Sequence, residues 1–245
     1  MAIERLHPDF LNKYAAFVAS KEYSSDYLFR AERDIPIIAN VLYDELKNDG
    51  RLGACADISA LLSRCLEEEG FWNYTAVGPL TIKFISGIGV KDKYFWAVDK
   101  DLASESVAHA WVVAPPYTVI DISISLQPYK EGEERYLPDY VISSTKDTAD
   151  YSSEDIIAPE TRAILQRSVM ISGNSMLQYA VPHISTMINQ FPPLKVVCDN
   201  AELKYITMAV KAPDCSFKEM ANISLRGKSP YETYQKVIIP LLHDN

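Results

Sequence analysis

The sequence lacks the features that mark several common classes of protein. It has only four cysteines among 245 residues, and no two of them form a Cys-x-x-Cys pair. A zinc site or a dithiol redox motif is therefore not expected, and nothing in the residues suggests a metal ion or a cofactor. No apolar run approaches the roughly 20 residues that a membrane-spanning helix needs. The first ten residues also lack the apolar segment of a secretory signal, so we expect a cytoplasmic protein with free thiols.

Basic charge is scarce as well. Lysine and arginine together number 24 against 33 acidic residues, which gives a formal net charge of −9. Nucleic-acid-binding proteins usually carry clustered positive charge, so a nucleic-acid partner is not expected. With 48% hydrophobic and 23% charged residues, the composition is that of a folded protein. A chain of this length can bury a sizeable core without disulfides.

Helical periodicity dominates the N-terminal third of the chain. Residues 9–20 have an amphipathic helical pattern. A second helix is predicted over residues 34–49, with Asp34 as its cap and Pro36 in its first turn. Residues 55–69 place apolar side chains at the i, i+3, i+4 and i+7 spacing of one buried helix face.

The period then changes to that of β-strands. Four segments rich in aromatic and β-branched residues predict strands, namely 73–84, 93–100, 106–114 and 117–125. Helices followed by hairpin-linked strands indicate the α+β class. The predicted organisation has four segments, namely an N-terminal helical segment (1–34), a catalytic core (35–126), an acidic surface excursion or lid (127–158), and C-terminal helices and strands packed on the core (159–245).

The C-terminal half gives weaker signals. Residues 127–158 are polar, acidic and turn-rich, which is typical of a surface excursion, a lid or a partly disordered segment. Residues 159–191 have the pattern of two helical pieces broken near Gly173-Asn174, with a kink expected at Pro182 in the second. Strands are predicted at 194–198 and 203–211. Residues 229–232, Ser-Pro-Tyr-Glu, form a capping box with proline at the first helical position, which predicts a final helix.

Cys55 stands where a loop becomes the third predicted helix. The thiolate is the reactive form of cysteine, and the partial positive charge at a helix N-terminus lowers the pKa of a thiol placed there. The unpaired N–H groups of a first helical turn can also hold a developing oxyanion. Cys55 is therefore a candidate nucleophile, and Gly53, two residues before it, lets the backbone approach closely.

A nucleophilic cysteine needs a base, and the base needs a group that orients it. Of the four histidines, His109 differs because it lies within a predicted strand, and Asp121 lies in the next one. A turn centred on Pro115 would place His109 and Asp121 directly opposite each other, with Cβ atoms about 4.5–5.5 Å apart. Asp121 could then hold the imidazole in one tautomer. Trp111 would cover this pair and exclude water, or be a core aromatic residue, and the two roles are compatible.

These residues resemble the transglutaminase-like core of the papain-like cysteine fold. Members of that superfamily carry a G-x-C-x-[DE]-x-[AS] motif at a helix start, and residues 53–59 match it as GACADIS. A strand with H-[AV]-W follows in the family, here residues 109–111. The next strand holds an aspartate after apolar residues, here 119–121. The resemblance covers about residues 35–125.

The resemblance implies a helix that carries the nucleophile at its N-terminus and packs on an antiparallel sheet. It also implies a Cys55–His109–Asp121 triad that acts through a thioester intermediate. The second oxyanion donor of the family usually comes from upstream, and here Asn40 and Tyr43 of the preceding helix are both candidates. No calcium-type acidic loop is evident, so a calcium-dependent crosslinking enzyme is not expected.

Three functions stay open at this point. The first is thiol-dependent amide hydrolysis of a protein or peptide, as in a peptidase, an isopeptidase or a glutamine deamidase. The second is acyl transfer to an amine acceptor in place of water, as in a transglutaminase. The third is a non-catalytic binding module with an idle triad, because function does not follow from fold.

Overall fold

The computed structural model of the chain describes residues 8–99, 108–130, 132–213 and 215–243. The start of the predicted strand 106–114 and the end of the predicted strand 93–100 lie outside the described residues. Three helices form the N-terminal third, α1 (Pro8–Ser20), α2 (Ser25–Asp49) and α3 (Cys55–Glu68). The apolar periodicity predicted all three, and the start of α3 at Cys55 is confirmed.

The predicted start of α2 is wrong, because Ser24 and not Asp34 caps this helix. The Ser24 hydroxyl accepts a hydrogen bond from the Tyr27 N–H at 3.2 Å. Asp34 lies inside the helix and is buried, and its carboxylate forms an ion pair with Arg33 at 2.6 Å. Pro36 also lies inside the helix. Asp34 and Pro36 have the sequence pattern of a helix start, but the helix begins ten residues earlier, where Ser24 is the cap.

The remaining elements alternate between short strands and short helices. The strands are β1 (Tyr74–Gly78), β2 (Leu80–Phe84), β3 (Lys93–Phe95), β4 (His109–Ala114), β5 (Tyr117–Asp121), β6 (Val141–Ser143), β7 (Leu194–Val197), β8 (Ala201–Tyr205) and β9 (Ala209–Lys211). The helices are α4 (Ser153–Ile156), α5 (Pro159–Ser168), α6 (Asn174–Ala180), α7 (Ile184–Gln190), α8 (Pro230–Thr233) and α9 (Ile239–His243). The pairs β2–β3, β2–β8, β4–β5, β5–β6 and β7–β8 are all antiparallel and occur together with helices, so the α+β class is confirmed.

The chain forms two compact units, and each is built from segments that are distant in sequence. The first contains the described residues within Met1–Thr75, Trp111–Ser144 and Val210–Asn245. The second contains those within Ala76–Ala110 and Thr145–Ala209. These boundaries differ from the four contiguous segments that the sequence suggested. No helix in the described ranges has the length and apolar character needed to cross a bilayer.

The core of the first unit joins α2 and α3 to the β4–β5 hairpin and to the C-terminal helices. Each of these elements contributes apolar side chains to this core. The buried residues include Ile35, Ile38, Leu42, Ile58, Leu62, Leu66, Val112, Ile120, Phe217, Tyr234 and Ile238. A five-stranded sheet has the order β6-β5-β4-β1-β9. The apolar face of α3 is thereby buried, and its first residue, Cys55, is fixed in place with it.

The second unit contains a four-stranded sheet in the order β3-β2-β8-β7. Its central strands pair Ile82 with Leu203, and Leu203 pairs in turn with Val196 on the other side. The predicted strand 73–84 is two strands, β1 and β2, which Pro79 separates and which belong to different sheets. The predicted strand 203–211 likewise divides into β8 and β9.

Two predictions for the C-terminal half were too coarse. The predicted excursion 127–158 contains β6, which pairs with β5 through Ile120↔Ile142 and Asp121↔Val141, so this part is a sheet strand and not a disordered lid. Residues 159–191 form three helices and not two, because the chain is interrupted both at Gly173 and at Pro182.

The capping box at residues 229–232 is confirmed. The Ser229 hydroxyl accepts from the Glu232 N–H at 3.3 Å, and the Glu232 carboxylate accepts from the Ser229 N–H at 3.1 Å. Lys236 also donates to Glu232, and these contacts lower the pKa of Glu232 to about 2. The helix that starts here passes through a π-helical turn, Tyr234–Ile238, before α9.

We expect Ser229→Ala to lower the free energy of unfolding by about 1 kcal/mol, because it removes the hydroxyl that accepts from the Glu232 N–H, while the bond from the Ser229 backbone N–H to Glu232 remains. Ser224→Ala is the matched control, since Ser224 is an exposed serine just upstream of the cap. Urea denaturation of the two variants measures the difference. Equal stability of the two variants would show that the Ser229 hydroxyl contributes nothing to the cap.

Candidate functional site

Cys55 is the first residue of α3 and is 7% exposed. Ala54, which precedes it, has no side chain that could cap the helix, and no side-chain hydrogen bond closes this end from the cap position. The Ala54 carbonyl accepts the first helical bond, from the Ile58 N–H at 2.9 Å. As at any helix N-terminus, the N–H groups of the first turn favour negative charge near Cys55.

The turn before Cys55 is held by the segment that follows β5. Gly53 has φ +71°, in the left-handed region, and its N–H donates to the Leu126 carbonyl at 2.9 Å. A Cβ atom at Gly53 would lie 3.8 Å from Cδ of Pro128, which is an ordinary contact distance. Glycine is thus favoured here by its backbone conformation and not by lack of space.

Tyr129 is a site residue that the sequence did not reveal. Its hydroxyl donates to the Ile124 carbonyl at 2.7 Å. Burial raises the pKa of the Tyr129 phenol, and electrostatic interaction with Asp121 raises it further. Tyr129 is therefore a neutral phenol close to both candidate residues. No local pattern marked it, because it lies in the polar stretch that suggested a surface excursion.

We expect Tyr129→Phe to lower the free energy of unfolding by about 1 kcal/mol, because the buried Ile124 carbonyl loses its donor. Tyr136→Phe is the matched control, since the Tyr136 hydroxyl accepts a hydrogen bond from the exposed Arg135 side chain at 2.8 Å. Chemical denaturation compares the two variants. An equal or larger loss in Tyr136→Phe would contradict the structural role of the Tyr129 hydroxyl.

Asp121 ends β5 and is fully buried. Its Oδ1 accepts hydrogen bonds from the N–H and from the hydroxyl of Ser123, both at 3.0 Å. An aspartate that accepts from the residue two positions on is held in a fixed orientation by its own backbone. The carboxylate is thereby preorganised at the edge of the first unit's hairpin, as an orienting group would need to be.

His109 begins β4 and is fully buried. Its imidazole lies against the ring of Phe95, with the two ring centroids 5.4 Å apart. A buried histidine that packs on an aromatic ring has few accessible orientations. Its location in a strand was predicted correctly, but the predicted strand of residues 106–114 placed it inside the strand and not at the first residue.

The predicted pairing of His109 directly opposite Asp121 is wrong. The hairpin turns at Pro115-Pro116, and its register pairs Ala114 with Tyr117 and Val112 with Ile120. The shift between these two pairs is a β-bulge that adds one residue to β5. One step further along the ladder, position 121 lies opposite position 111. The bulge could not be predicted from the sequence. The strand is so short that an added residue leaves no visible break in its alternation of hydrophobic and polar residues.

The three supporting residues have different surroundings. Trp111 is 1% exposed within β4, so its role as a core aromatic residue is established by its burial. Tyr43 is buried, and its hydroxyl donates to Asp139 at 2.7 Å. Asn40 is exposed on α2 and contacts Asp44 and the hydroxyl of Tyr140. The Tyr43 hydroxyl and the Asn40 side-chain oxygen are thus engaged with the 139–140 segment, and the Asn40 amide nitrogen with Asp44. The oxyanion role of both residues stays a prediction without support from these contacts.

Asp57, in the first turn of α3, is held by a residue far along the chain. The Asn222 side-chain amide donates to the Asp57 carboxylate and to its backbone carbonyl, both at 3.1 Å. A carboxylate in this turn is also favoured by the positive end of the helix. Asp57 and Asn222 therefore anchor the C-terminal segment to the helix that bears Cys55.

Two of the other thiols, Cys65 and Cys198, lack the position that Cys55 has at a helix start. Cys65 is fully buried on the apolar face of α3, and burial raises its pKa well above the ordinary range. Burial also raises the pKa of the Cys198 thiol, and Asp199 raises it further. Neither residue begins a helix. These two thiols are internal references against which the reactivity of Cys55 can be measured.

Within the described ranges, no group of three or more histidine, cysteine, aspartate or glutamate side chains is arranged to hold a metal ion. Comparisons with protein-family models, with curated proteins and with solved structures found no match for the chain. The functional assignment therefore depends on the residues themselves and on their geometry.

Proposed function

We propose that this protein is a cysteine-dependent amide hydrolase or acyl transferase with Cys55 as its nucleophile. The observation that carries the proposal is the position of Cys55 at the first residue of a helix whose N-terminus has no side-chain cap. That position provides a thiol with a stabilising dipole and with N–H groups that can bind an oxyanion. The proposal includes a papain-like arrangement of helix and sheet, which the motif of residues 53–59 supports by resemblance.

In the proposed reaction, His109 accepts the proton of the Cys55 thiol. The thiolate attacks the amide carbonyl, and the N–H groups at the start of α3 bind the oxyanion that develops. The C–N bond then breaks, and His109 returns the proton to the leaving amine. The product is a thioester on Cys55. Water, or an amine in an acyl transferase, then attacks the thioester and releases the free thiol.

Asp121 is the proposed orienting group for the imidazole. Its full burial and its two hydrogen bonds from Ser123 support this role, because an orienting carboxylate must itself be held. Tyr129 contributes a neutral wall beside Cys55 and Asp121. A neutral phenol there limits access of water without adding a charge that would oppose the thiolate.

Limited alkylation tests the proposal without knowledge of the substrate. The folded protein is treated with limiting iodoacetamide between pH 5 and 8, and mass spectrometry follows the four thiols separately. We expect Cys55 to be modified first at pH 6, while Cys65 and Cys198 stay largely unmodified. The same protein unfolded in urea is the control, since its four thiols should react at similar rates. A Cys55 that reacts no faster than Cys198 would contradict the proposal and favour a binding module.

The acceptor is identified by a second assay. Glutamine-containing peptides are incubated with the protein in the presence and absence of a fluorescent primary amine. Release of ammonia without amine incorporation indicates a deamidase, and shortened peptides indicate a peptidase. Incorporation of the amine indicates an acyl transferase. Cys55→Ala is the control in every arm, because it removes the nucleophile.

A further inference from the structure

Three aromatic rings surround the ammonium group of Lys21, at the end of α1. Its Nζ lies 5.5 Å from the ring centroid of Phe17, 5.9 Å from that of Tyr23 and 5.6 Å from that of Trp72. A cation within about 6 Å of a ring centroid is attracted by the electrons of that ring. Phe17, Tyr23 and Trp72 therefore form a three-sided aromatic cage, and the chain's own lysine occupies it.

The walls of the cage are held in place by contacts outside it. The Tyr23 hydroxyl donates to the Val18 carbonyl at 2.8 Å. The Trp72 N–H of the backbone donates to the hydroxyl of Tyr27 at 3.1 Å. The rings of Phe17 and Trp72 meet edge to face, with centroids 5.5 Å apart and planes at 68°. The cage thus does not depend on Lys21 for its shape, which is the property expected of a preformed site.

The cage is open to solvent. The Phe17 side chain is 48% exposed and that of Trp72 is 39% exposed. Large aromatic side chains are usually more buried than this, and exposed ones are enriched where another molecule binds. A cation from outside can therefore reach the rings that Lys21 contacts.

The spacing of the rings fits a cation larger than a lysine ammonium. An N–C bond adds about 1.5 Å to a nitrogen centre. Methyl groups on a nitrogen at the position of Nζ would thus lie about 4 Å from the ring centroids, near the optimum of roughly 3.5–4.0 Å for carbon contacts. A primary ammonium at the same position has no carbon atoms at this distance from the rings. It is also strongly hydrated, and it must lose water to approach the rings.

We propose that this cage is a binding site for a methylated quaternary ammonium group, and that Lys21 is an internal occupant which such a group displaces. The site is separate from Cys55, because Trp72 follows the C-terminal end of α3 while Cys55 begins it. A helix of 14 residues is about 20 Å long, so the cage does not belong to the proposed reaction centre. The proposal is independent of the proposed function.

Ligand-observed NMR with tetramethylammonium tests the cage directly. We expect saturation transfer from the protein to the methyl groups of tetramethylammonium, and none to tert-butanol, which has a similar shape without the charge. In Lys21→Ala the internal competitor is gone, so the dissociation constant should fall by about threefold or more. Lys13→Ala is the matched control, since Lys13 is an exposed lysine of the same helix. It should bind as the original protein does.

Trp72→Leu removes one wall and should abolish the signal, and Phe17→Leu should weaken it if Trp72→Leu fails to fold. Choline and a trimethyllysine peptide, compared in the same assay, distinguish a free small cation from a modified protein as the natural source. Equal transfer to tert-butanol, or no tightening in Lys21→Ala, would overturn the proposal. Undiminished binding in a folded Trp72→Leu protein would overturn it as well.

Discussion

His109→Ala is expected to slow the alkylation of Cys55 at pH 6 by about tenfold. An ordinary thiol with a pKa of about 8.5 is only roughly 0.3% thiolate at this pH. An imidazolium partner together with a helix N-terminus can bring the thiolate fraction of a cysteine close to one. Part of the gain is lost, because a thiolate of lower basicity is a weaker nucleophile. We therefore expect the imidazole to raise the rate constant for alkylation of Cys55 by about one order of magnitude.

The measurement is the second-order rate constant for iodoacetamide at several pH values. Asp121→Asn should give an intermediate rate, because an amide can hold the imidazole but does not stabilise its charged form. His183→Ala is the control, since His183 is exposed and lies in the second unit between α6 and α7. If His109→Ala and His183→Ala both leave the rate unchanged in folded protein, the triad is not assembled, and a binding role becomes the better explanation.

Lys204→Met is expected to lower the free energy of unfolding by about 3 kcal/mol, because it leaves the buried Asp155 without its cation. Lys204 and Asp155 are both buried, and Lys204 Nζ lies 2.9 Å from Asp155 Oδ1. Thr81 donates to the same oxygen at 2.9 Å. Residues from β2, β8 and α4 thus meet at one carboxylate, which joins a helix to the four-stranded sheet of the second unit.

The pH dependence of this effect has a definite sign. Burial acts to raise the pKa of Asp155, but the hydrogen bonds from Lys204 and Thr81 outweigh it, and the net pKa is lowered. A lowered pKa stabilises the folded protein above the unfolded value of about 3.9, and this contribution is lost as the pH falls through the folded value. The difference between Lys204→Met and the original protein should therefore be largest near pH 7 and shrink below pH 4.

A double variant separates the ion pair from the burial of its members. Asp155→Asn leaves Lys204 as the unpaired charge, so it should also be destabilising by itself. Asp155→Asn combined with Lys204→Met removes both charges, and its loss should be clearly smaller than the sum of the two single losses. Urea denaturation and hydrogen exchange of residues 152–157 measure these effects. Additive losses would show that the two side chains do not interact.

Several features of this protein were determined by short stretches of sequence. The start of α3 at Cys55 and the capping box at Ser229 were predicted because caps and apolar periodicity are local properties. The location of the β4–β5 hairpin turn in the Ala-Pro-Pro stretch was predicted for the same reason, since proline limits the backbone of its own residue and of the one before it, although the turn is centred between Pro115 and Pro116 and not on Pro115. The α+β class followed from the change of period along the chain.

Other features depend on contacts between residues far apart in sequence, and only the tertiary structure decided them. The hairpin turn, centred between Pro115 and Pro116, shifts the register by one residue from the expected one, and the bulge in β5 shifts it by one more, so that Asp121 is not directly opposite His109. Tyr129 lies near Cys55 because the Gly53 N–H donates to the carbonyl of Leu126, a residue 73 positions later in the chain. Gly78 is required because a Cβ atom there would lie 1.9 Å from the Ile206 carbonyl oxygen. Local periodicity carries no information about which distant segment a residue will meet, so register, strand partners and the surroundings of Cys55 were fixed only when the whole chain packed.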